Sequence, residues 1–302
     1  MAFLPGSSPS MVLRIYDWAR LCRPKHWSKN VFVLLPTFFS EHFTDLNLLL
    51  DGLLAFICFC PLSSAMYIAN DTVDRKADRQ HPRKQSRPIA AGRISVPVAL
   101  LGSVGLIVCA FALAVFTLPL GFLLAMAAYA GNTIAYILWL KQRVIVDVML
   151  IAIGFVIRLL AGCIAANVEP SSWLIICGFS LALVLGFGKR RTEIEAADVS
   201  SQFRSTLLSY NRSKLDTILA VCTAVCLLSY MLYTVAPETV QLHGTKNLVY
   251  TVPLVAYGLF RYLFKAQEGR KDEPTDILFA DPVFAITGVL WVSAVLLVLM
   301  FK

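Results

Sequence analysis

Three aspartates, Asp71, Asp74 and Asp78, stand at i, i+3 and i+7 in the stretch Asn70-Asp71-Thr72-Val73-Asp74-Arg75-Lys76-Ala77-Asp78. On a helix that spacing puts them on one face. Like charges stacked this way repel by roughly a few tenths of a kcal/mol per pair, so the arrangement calls for a cation. Oxygen-only ligands suit Mg²⁺, which keeps several waters and binds through one or two carboxylates plus substrate phosphates. The competing reading is a solvated helix end in which Asp71 pairs with Arg75, four residues on. Six cations lie in residues 67–88 with them: Arg75, Lys76, Arg79, Arg83, Lys84 and Arg87. Pro82 and Pro88 stop helix continuation, so the helix is expected to end near Gln80 or His81, with residues 83–87 looped over its end. Cations beside a carboxylate–metal site are what a diphosphate needs, because the metal alone does not neutralise it.

Three other places carry polar chemistry. Arg23-Pro24-Lys25-His26-Trp27-Ser28-Lys29-Asn30 is a basic junction, either an aromatic and cationic anchor or a substrate contact. Gly188-Lys189-Arg190-Arg191-Thr192-Glu193 is led by cations, with Glu193 on the face of Lys189 and Arg190. It is either a helix end that snorkels to the head groups or an anion site. Arg158 lies about 14 residues into an apolar run, roughly 21 Å along a helix axis. That is too deep to snorkel, so it faces the bundle interior or a polar cavity. It pairs with a buried acid or holds the phosphate of an amphiphilic substrate. Asp147, three turns away, shares its face.

Apolar helices must position these groups. The chain has 302 residues, of which 58% are hydrophobic and 15% charged, with a mean hydropathy of +0.69. Soluble domains carry nearer 25% charged residues, so this is an all-α multi-pass membrane protein. Apolar runs near 30–40, 46–69, 97–117, 120–140, 144–166, 172–188, 215–236, 247–264 and 280–301 predict nine spans. The first is short and contains Pro36, and its helix is expected to begin near Trp27. Segments near 11–29, 70–95, 141–143, 189–214 and 265–279 hold nearly all the Lys and Arg, while the opposite connections hold Glu41, Asp45, Glu169 and Glu238. By the positive-inside rule the basic segments face the cytoplasm. Residues 1–302 thus read as one membrane domain, with an interfacial helix and junction at 11–29 and cytoplasmic loops at 70–95 and 189–214. The loops follow the second and sixth spans, which hints at a pseudo-repeat. Residues 1–10 lack the order of a cleavable signal, so the first spans are expected to direct insertion.

The net charge of +8 punctuates apolar runs and forms no soluble basic face, which argues against nucleic acid and for anionic head groups or phosphorylated substrates. The eight cysteines show no CxxC pair or zinc spacing and read as small buried hydrophobes.

The Asn-Asp-x-x-Asp-x-x-x-Asp motif at 70–78 resembles the first Asp-rich motif of the UbiA-type membrane prenyltransferase superfamily. Residues 23–30, the run Asp78-Arg79-Gln80-His81-Pro82-Arg83-Lys84-Gln85-Ser86-Arg87-Pro88-Ile89-Ala90-Ala91-Gly92, Gly188-Lys189-Arg190 and Glu273-Pro274-Thr275-Asp276 resemble one branch, the decaprenyl-phosphate phosphoribosyltransferases. The resemblance spans nearly the whole chain. It implies a UbiA-like bundle of about nine transmembrane helices in a bacterial plasma membrane, with the active site facing the cytoplasm. The implied reaction moves 5-phosphoribosyl from phosphoribosyl pyrophosphate to polyprenyl phosphate for cell-wall arabinan. Asp71, Asp74 and Asp78 would hold Mg²⁺ and pyrophosphate. Lys25, Lys29, Asn70, Arg79, Arg83, Lys84, Arg87, Arg158, Lys189, Arg190 and Glu193 would bind the substrates. Implied partners are those two substrates and membrane lipids, with a homo-oligomer left open.

One departure is informative. Prenyl-diphosphate users of the superfamily usually carry a second Asp-rich motif after the sixth span, where this chain has Lys189-Arg190-Arg191-Thr192-Glu193 and only Asp198 farther on. That favours phosphoribosyl over prenyl transfer, the first alternative. The second, a non-catalytic transporter or lipid-binding protein, would place its ionisable groups near the midplane, whereas here nearly all lie at one face.

Overall fold

The computed structural model describes residues 11–40, 44–81, 84–197, 210–268 and 281–301. No strand occurs among them. The helices are α1 (Met11–Cys22), α2 (Leu35–Phe38), α3 (Leu46–Val73), α4 (Arg75–Gln80), α5 (Val96–Thr117), α6 (Leu120–Ala135), α7 (Val146–Ala165), α8 (Ser172–Ala197), α9 (Arg212–Val235), α10 (Pro237–His243), α11 (Val252–Gln267) and α12 (Pro282–Met300). A π turn, Tyr136–Leu140, continues α6.

Seven of these (α3, α5, α6 with its π turn, α7, α8, α9 and α12) are long and apolar enough to cross a bilayer. Their outward faces are apolar, with Leu101, Phe116 and Leu120 largely exposed, as lipid-facing positions require. The other two expected spans take different forms. Around 30–40 a 3-10 helix, Pro24–Val33, precedes the single turn of α2. It starts three residues before Trp27 because Pro24 presets φ for the first turn. Near 247–264 a 3-10 turn, Asn247–Thr251, leads into α11, and Arg261 of α11 forks onto Asp281, which caps α12.

α3 organises the first half. Asp45 caps it by accepting from the Asn47 amide. Its 28 residues make a rod of about 42 Å, longer than the roughly 30 Å of hydrocarbon, so its last turns can emerge at head-group level. It packs on α5, α6 and α7 around Phe59, Leu62, Phe122 and Met126. A second apolar core, centred on Val184, Phe187, Leu215 and Leu219, joins α8, α9 and α11 and includes Val148 of α7. α1 lies across α3 and α5, with Leu21 buried beside Ile68 and Ile89 and Asp17 paired to Arg93 at 2.9 Å.

The 3-10 segment approaches α7 closely. A Cβ at Gly162 would sit 2.1 Å from the Val33 carbonyl oxygen. Gly162→Ala is therefore expected to destabilise the bundle by about 1–3 kcal/mol, because backbone must move. Thermal unfolding in detergent measures this, and an unchanged midpoint would contradict the contact.

Candidate active site

The polar groups of distant segments meet at one end of the bundle. The C-terminal ends of α3, α6 and α8 and the N-terminal ends of α7 and α9 come together there, as the pairs Lys141–Asp74, Arg190–Asp147 and Arg191–Asp216 record. α3 stops at Val73 and α4 runs from Arg75 to Gln80, with Asp74 at the break (ψ 0). The aspartates thus do not ride one continuous helix.

Asp71 is buried, and its Oδ1 accepts from Arg23 Nη2 at 2.5 Å and from Arg87 Nη1 at 3.0 Å. The same Arg87 nitrogen reaches Asp78 Oδ2 at 2.8 Å. Asp74 pairs instead with Lys141. The i,i+4 alternative, Asp71 with Arg75, is not adopted, since tertiary cations reach Asp71 first. Among the described residues no three His, Cys, Asp or Glu side chains converge. Asp71 and Asp78 form one carboxylate pair, and Asp74 stands apart.

The 3-10 segment Pro24–Val33 presents Lys25, His26 and Lys29 beside this mouth. It begins after Arg23, a left-handed residue (φ 52) whose guanidinium lies 5.2 Å over the Tyr67 ring. His26 also packs on Tyr67, with ring centroids 5.3 Å apart. Trp27 Nε1 donates to Ser64 Oγ at 3.0 Å, docking the segment on α3. Arg79 Nε donates to the Ala90 carbonyl at 2.9 Å, tying the 84–92 segment to α4. Lys84 starts a 3-10 turn, and its amide meets His81 Nδ1. Arg83 and the 273–276 motif lie outside the described residues.

Arg158 and the α8 cations have partners that the sequence did not disclose. Arg158 is buried, with no carboxylate partner among the described residues. Its Nε donates to Asn30 Oδ1 at 3.0 Å, Nη1 to the Gly154 carbonyl at 3.0 Å, and Nη2 to Tyr129 Oη at 2.8 Å, over whose ring it stacks. Asp147, its expected face-mate, is taken by Arg190 Nε at 2.7 Å. Arg190 also pairs with Glu193, and Arg191 with Asp216 at 2.7 Å. α8 stays helical through Lys189 to Ala197, so this part of 189–214 is no loop. The i,i+3 pair Arg190–Glu193 on strong helix formers supports it. Lys189 is half-buried on that stretch. Tyr210 bridges the Ile145 amide (2.6 Å) and Asp147 (3.4 Å), and burial holds its phenol above the usual range.

Arg23 and Lys141 complete the mouth. Arg23 opens the basic junction that the sequence already marked, whereas Lys141 shows there only as a charge closing the fourth apolar run. A separate apolar cavity of about 260 Å³ lies between the Phe32–Phe39 segment, α8, α9, α11 and α12, lined by Phe32, Trp173, Tyr230, Tyr262, Phe284 and Trp291 among others.

Residues 33–280 match the UbiA prenyltransferase family. The chain belongs to that family. Among UbiA relatives, decaprenyl-phosphate phosphoribosyltransferase of Mycobacterium tuberculosis is 30% identical over 278 residues, covering 90% of this chain and 91% of that one. The enzyme of the same name from Corynebacterium glutamicum is 29% identical over 283 residues, covering 91% and 84%. A solved UbiA homolog from Archaeoglobus fulgidus, bound to DMAPP and Mg²⁺, superposes with a TM-score of 0.71 at 20% identity, covering 95% of this chain and 100% of that one. This likeness establishes the UbiA fold.

The residues present fit Mg²⁺. Every donor is oxygen, and Asn70 adds a buried Oδ1 without a hydrogen-bond partner next to Asp71.

Asn30 is fully buried and joins three elements, since it also donates to Ser63 Oγ at 3.1 Å. Asn30→Leu is expected to cost about 1–3 kcal/mol, because it strands a buried guanidinium. Adding Arg158→Met should recover part of that loss. Unfolding midpoints of the single and double variants test the network, and a double variant worse than the single would refute it.

Proposed function

We propose that this protein transfers 5-phosphoribosyl from phosphoribosyl pyrophosphate to a polyprenyl phosphate such as decaprenyl phosphate and releases pyrophosphate. The observation that carries the reading is the near-full-length likeness to decaprenyl-phosphate phosphoribosyltransferases. The polar mouth supports it. Asp71 and Asp78 share Arg87 there, with Asp74 close in sequence on Lys141, and α8 offers no second Asp-rich cluster among the described residues, Glu193 being engaged by Arg190.

In this reading an oxygen of the lipid phosphate attacks C1 of the ribose as the bond from C1 to the pyrophosphate oxygen breaks. A phosphate monoester is already anionic, so the chain need not supply a strong base. Its task is to align two substrates, neutralise the leaving group and exclude water. Asp71, Asp78, Asn70 and Asp74 would hold Mg²⁺, which supplies charge neutralisation to the departing diphosphate. Arg23, Arg87 and Lys141 bring positive charge to the same carboxylates, within reach of diphosphate oxygens. Lys25, Lys29, Lys84, Lys189 and Arg83 are candidates for the remaining phosphates, and Arg79 ties down the loop that carries Lys84 by its bond to the Ala90 carbonyl. The apolar cavity has an aromatic lining suited to part of an isoprenoid tail.

The distribution of Lys and Arg supports a cytoplasmic orientation for this mouth, in what would be a bacterial plasma membrane. The product would serve cell-wall arabinan synthesis.

Purified protein given labelled phosphoribosyl pyrophosphate and decaprenyl phosphate should form a labelled lipid that disappears with chelator. Asp71→Ala and Asp74→Ala should each lower turnover per folded molecule by about 100-fold or more. Turnover of a prenyl diphosphate onto an aromatic acceptor, with no labelled lipid, would overturn the assignment in favour of prenyl transfer. Full activity in both variants would remove the metal site.

A further inference from the structure

The turn between the π end of α6 and the start of α7 contains strained backbone. Ile145 has φ 70 and ψ −47, a region that a β-branched residue strongly disfavours. Such a conformation persists only where its surroundings over-determine it.

Here the surroundings are specific. The Ile145 amide donates to Tyr210 Oη at 2.6 Å. The Tyr210 hydroxyl donates to Asp147 Oδ1 at 3.4 Å, and Asp147 Oδ2 accepts from Arg190 Nε at 2.7 Å. Asp147, Arg190 and Tyr210 are all buried. Tyr210 stands 65 residues beyond the turn, ahead of α9, so no local preference brings it there. Four residues before Ile145 the same turn carries Lys141, itself buried and paired with Asp74. The Arg143 and Asp147 amides, bonded to Leu140 and Arg143 carbonyls at 3.0 and 3.1 Å, brace the interval.

We propose that Tyr210 is a positioning residue: by holding the strained Ile145 amide, its hydroxyl sets Lys141 on Asp74 at the diphosphate end of the site. Arg190 and Glu193 then act through this chain. They fix Asp147, Asp147 orients the Tyr210 hydroxyl, and the hydroxyl fixes the turn. The inference rests on the reading that Asp74 belongs to a Mg²⁺–diphosphate site.

Calorimetric titration of the purified full chain with Mg²⁺ and pyrophosphate tests it. Pyrophosphate is common to phosphoribosyl and prenyl donors, so the readout does not depend on which group is transferred. Tyr210→Phe is expected to weaken binding about tenfold, and Ile145→Gly alone to leave it within about twofold. Glycine adopts this φ unaided, so Tyr210→Phe combined with Ile145→Gly should return to within about threefold of the parent. Should Tyr210→Phe fail to fold, the melting temperature of Ile145→Gly decides, with a value at or above the parent's expected and a clear fall overturning the clamp. Unchanged binding in Tyr210→Phe beside loss in Asp74→Ala, or a Tyr210→Phe loss that persists in the Ile145→Gly background, would also overturn it while leaving the diphosphate site standing. No binding to the unaltered chain would remove the site itself.

Discussion

Carboxylates gathered at the end of a membrane-spanning helix repel one another, and the polar end of this bundle is arranged around that repulsion. Asp71, Asp74 and Asp78 belong to α3 and α4, but the cations that meet them come from three separate places. Arg23 precedes the 3-10 segment, Arg87 lies in the loop after α4, and Lys141 closes α6. At an effective dielectric near 20, a contact at 4 Å is worth about 4 kcal/mol, against about 1 in bulk water. Half-buried pairs of this kind therefore do more than surface ones. They fasten the 3-10 segment, the loop and the α6–α7 turn to one point. Much of that attraction offsets desolvation, so its main consequence is geometric: removing one partner leaves a stranded charge where two elements meet.

The apolar half of the molecule answers to simpler rules. Hydroxyls within the spans are mostly bonded to their own helix, as with Thr72 to the Ile68 carbonyl, Thr133 to Tyr129 and Thr223 to Leu219. In hydrocarbon an unbonded hydroxyl is costly, and the i−4 carbonyl is the nearest acceptor. Such residues carry no site information. What distinguishes Asn30, Ser63 and Arg158 is that their bonds cross between elements.

Much of this was legible from residue order. Apolar runs marked the long helices, and the Asp-bearing helix ends at Gln80, as Pro82 and Pro88 require. α1 matches the amphipathic pattern of residues 11–22. Local rules failed where a tertiary partner decided the outcome. The i, i+3, i+7 spacing promised one helical face, yet the chain breaks at Asp74. Arg158 was expected to meet an acid or a phosphate, and it rests on Asn30, Tyr129 and a carbonyl. The sequence did not disclose that Arg190 and Glu193 brace Asp147 and each other. Lys141 lies 67 residues from Asp74, and no periodicity reports a pairing at that distance.

Arg158 also bears on how the chain enters the membrane. An arginine at the centre of a helix raises the insertion cost by about 2.5–3.5 kcal/mol on translocon scales, and α7 has no acid of its own beside it to offset this. Its acceptors, Tyr129 on α6 and Asn30 on the 3-10 segment, are both made earlier on the ribosome. α7 is thus best received into lipid as the companion of helices already waiting there, which makes the order of synthesis part of how the bundle is assembled.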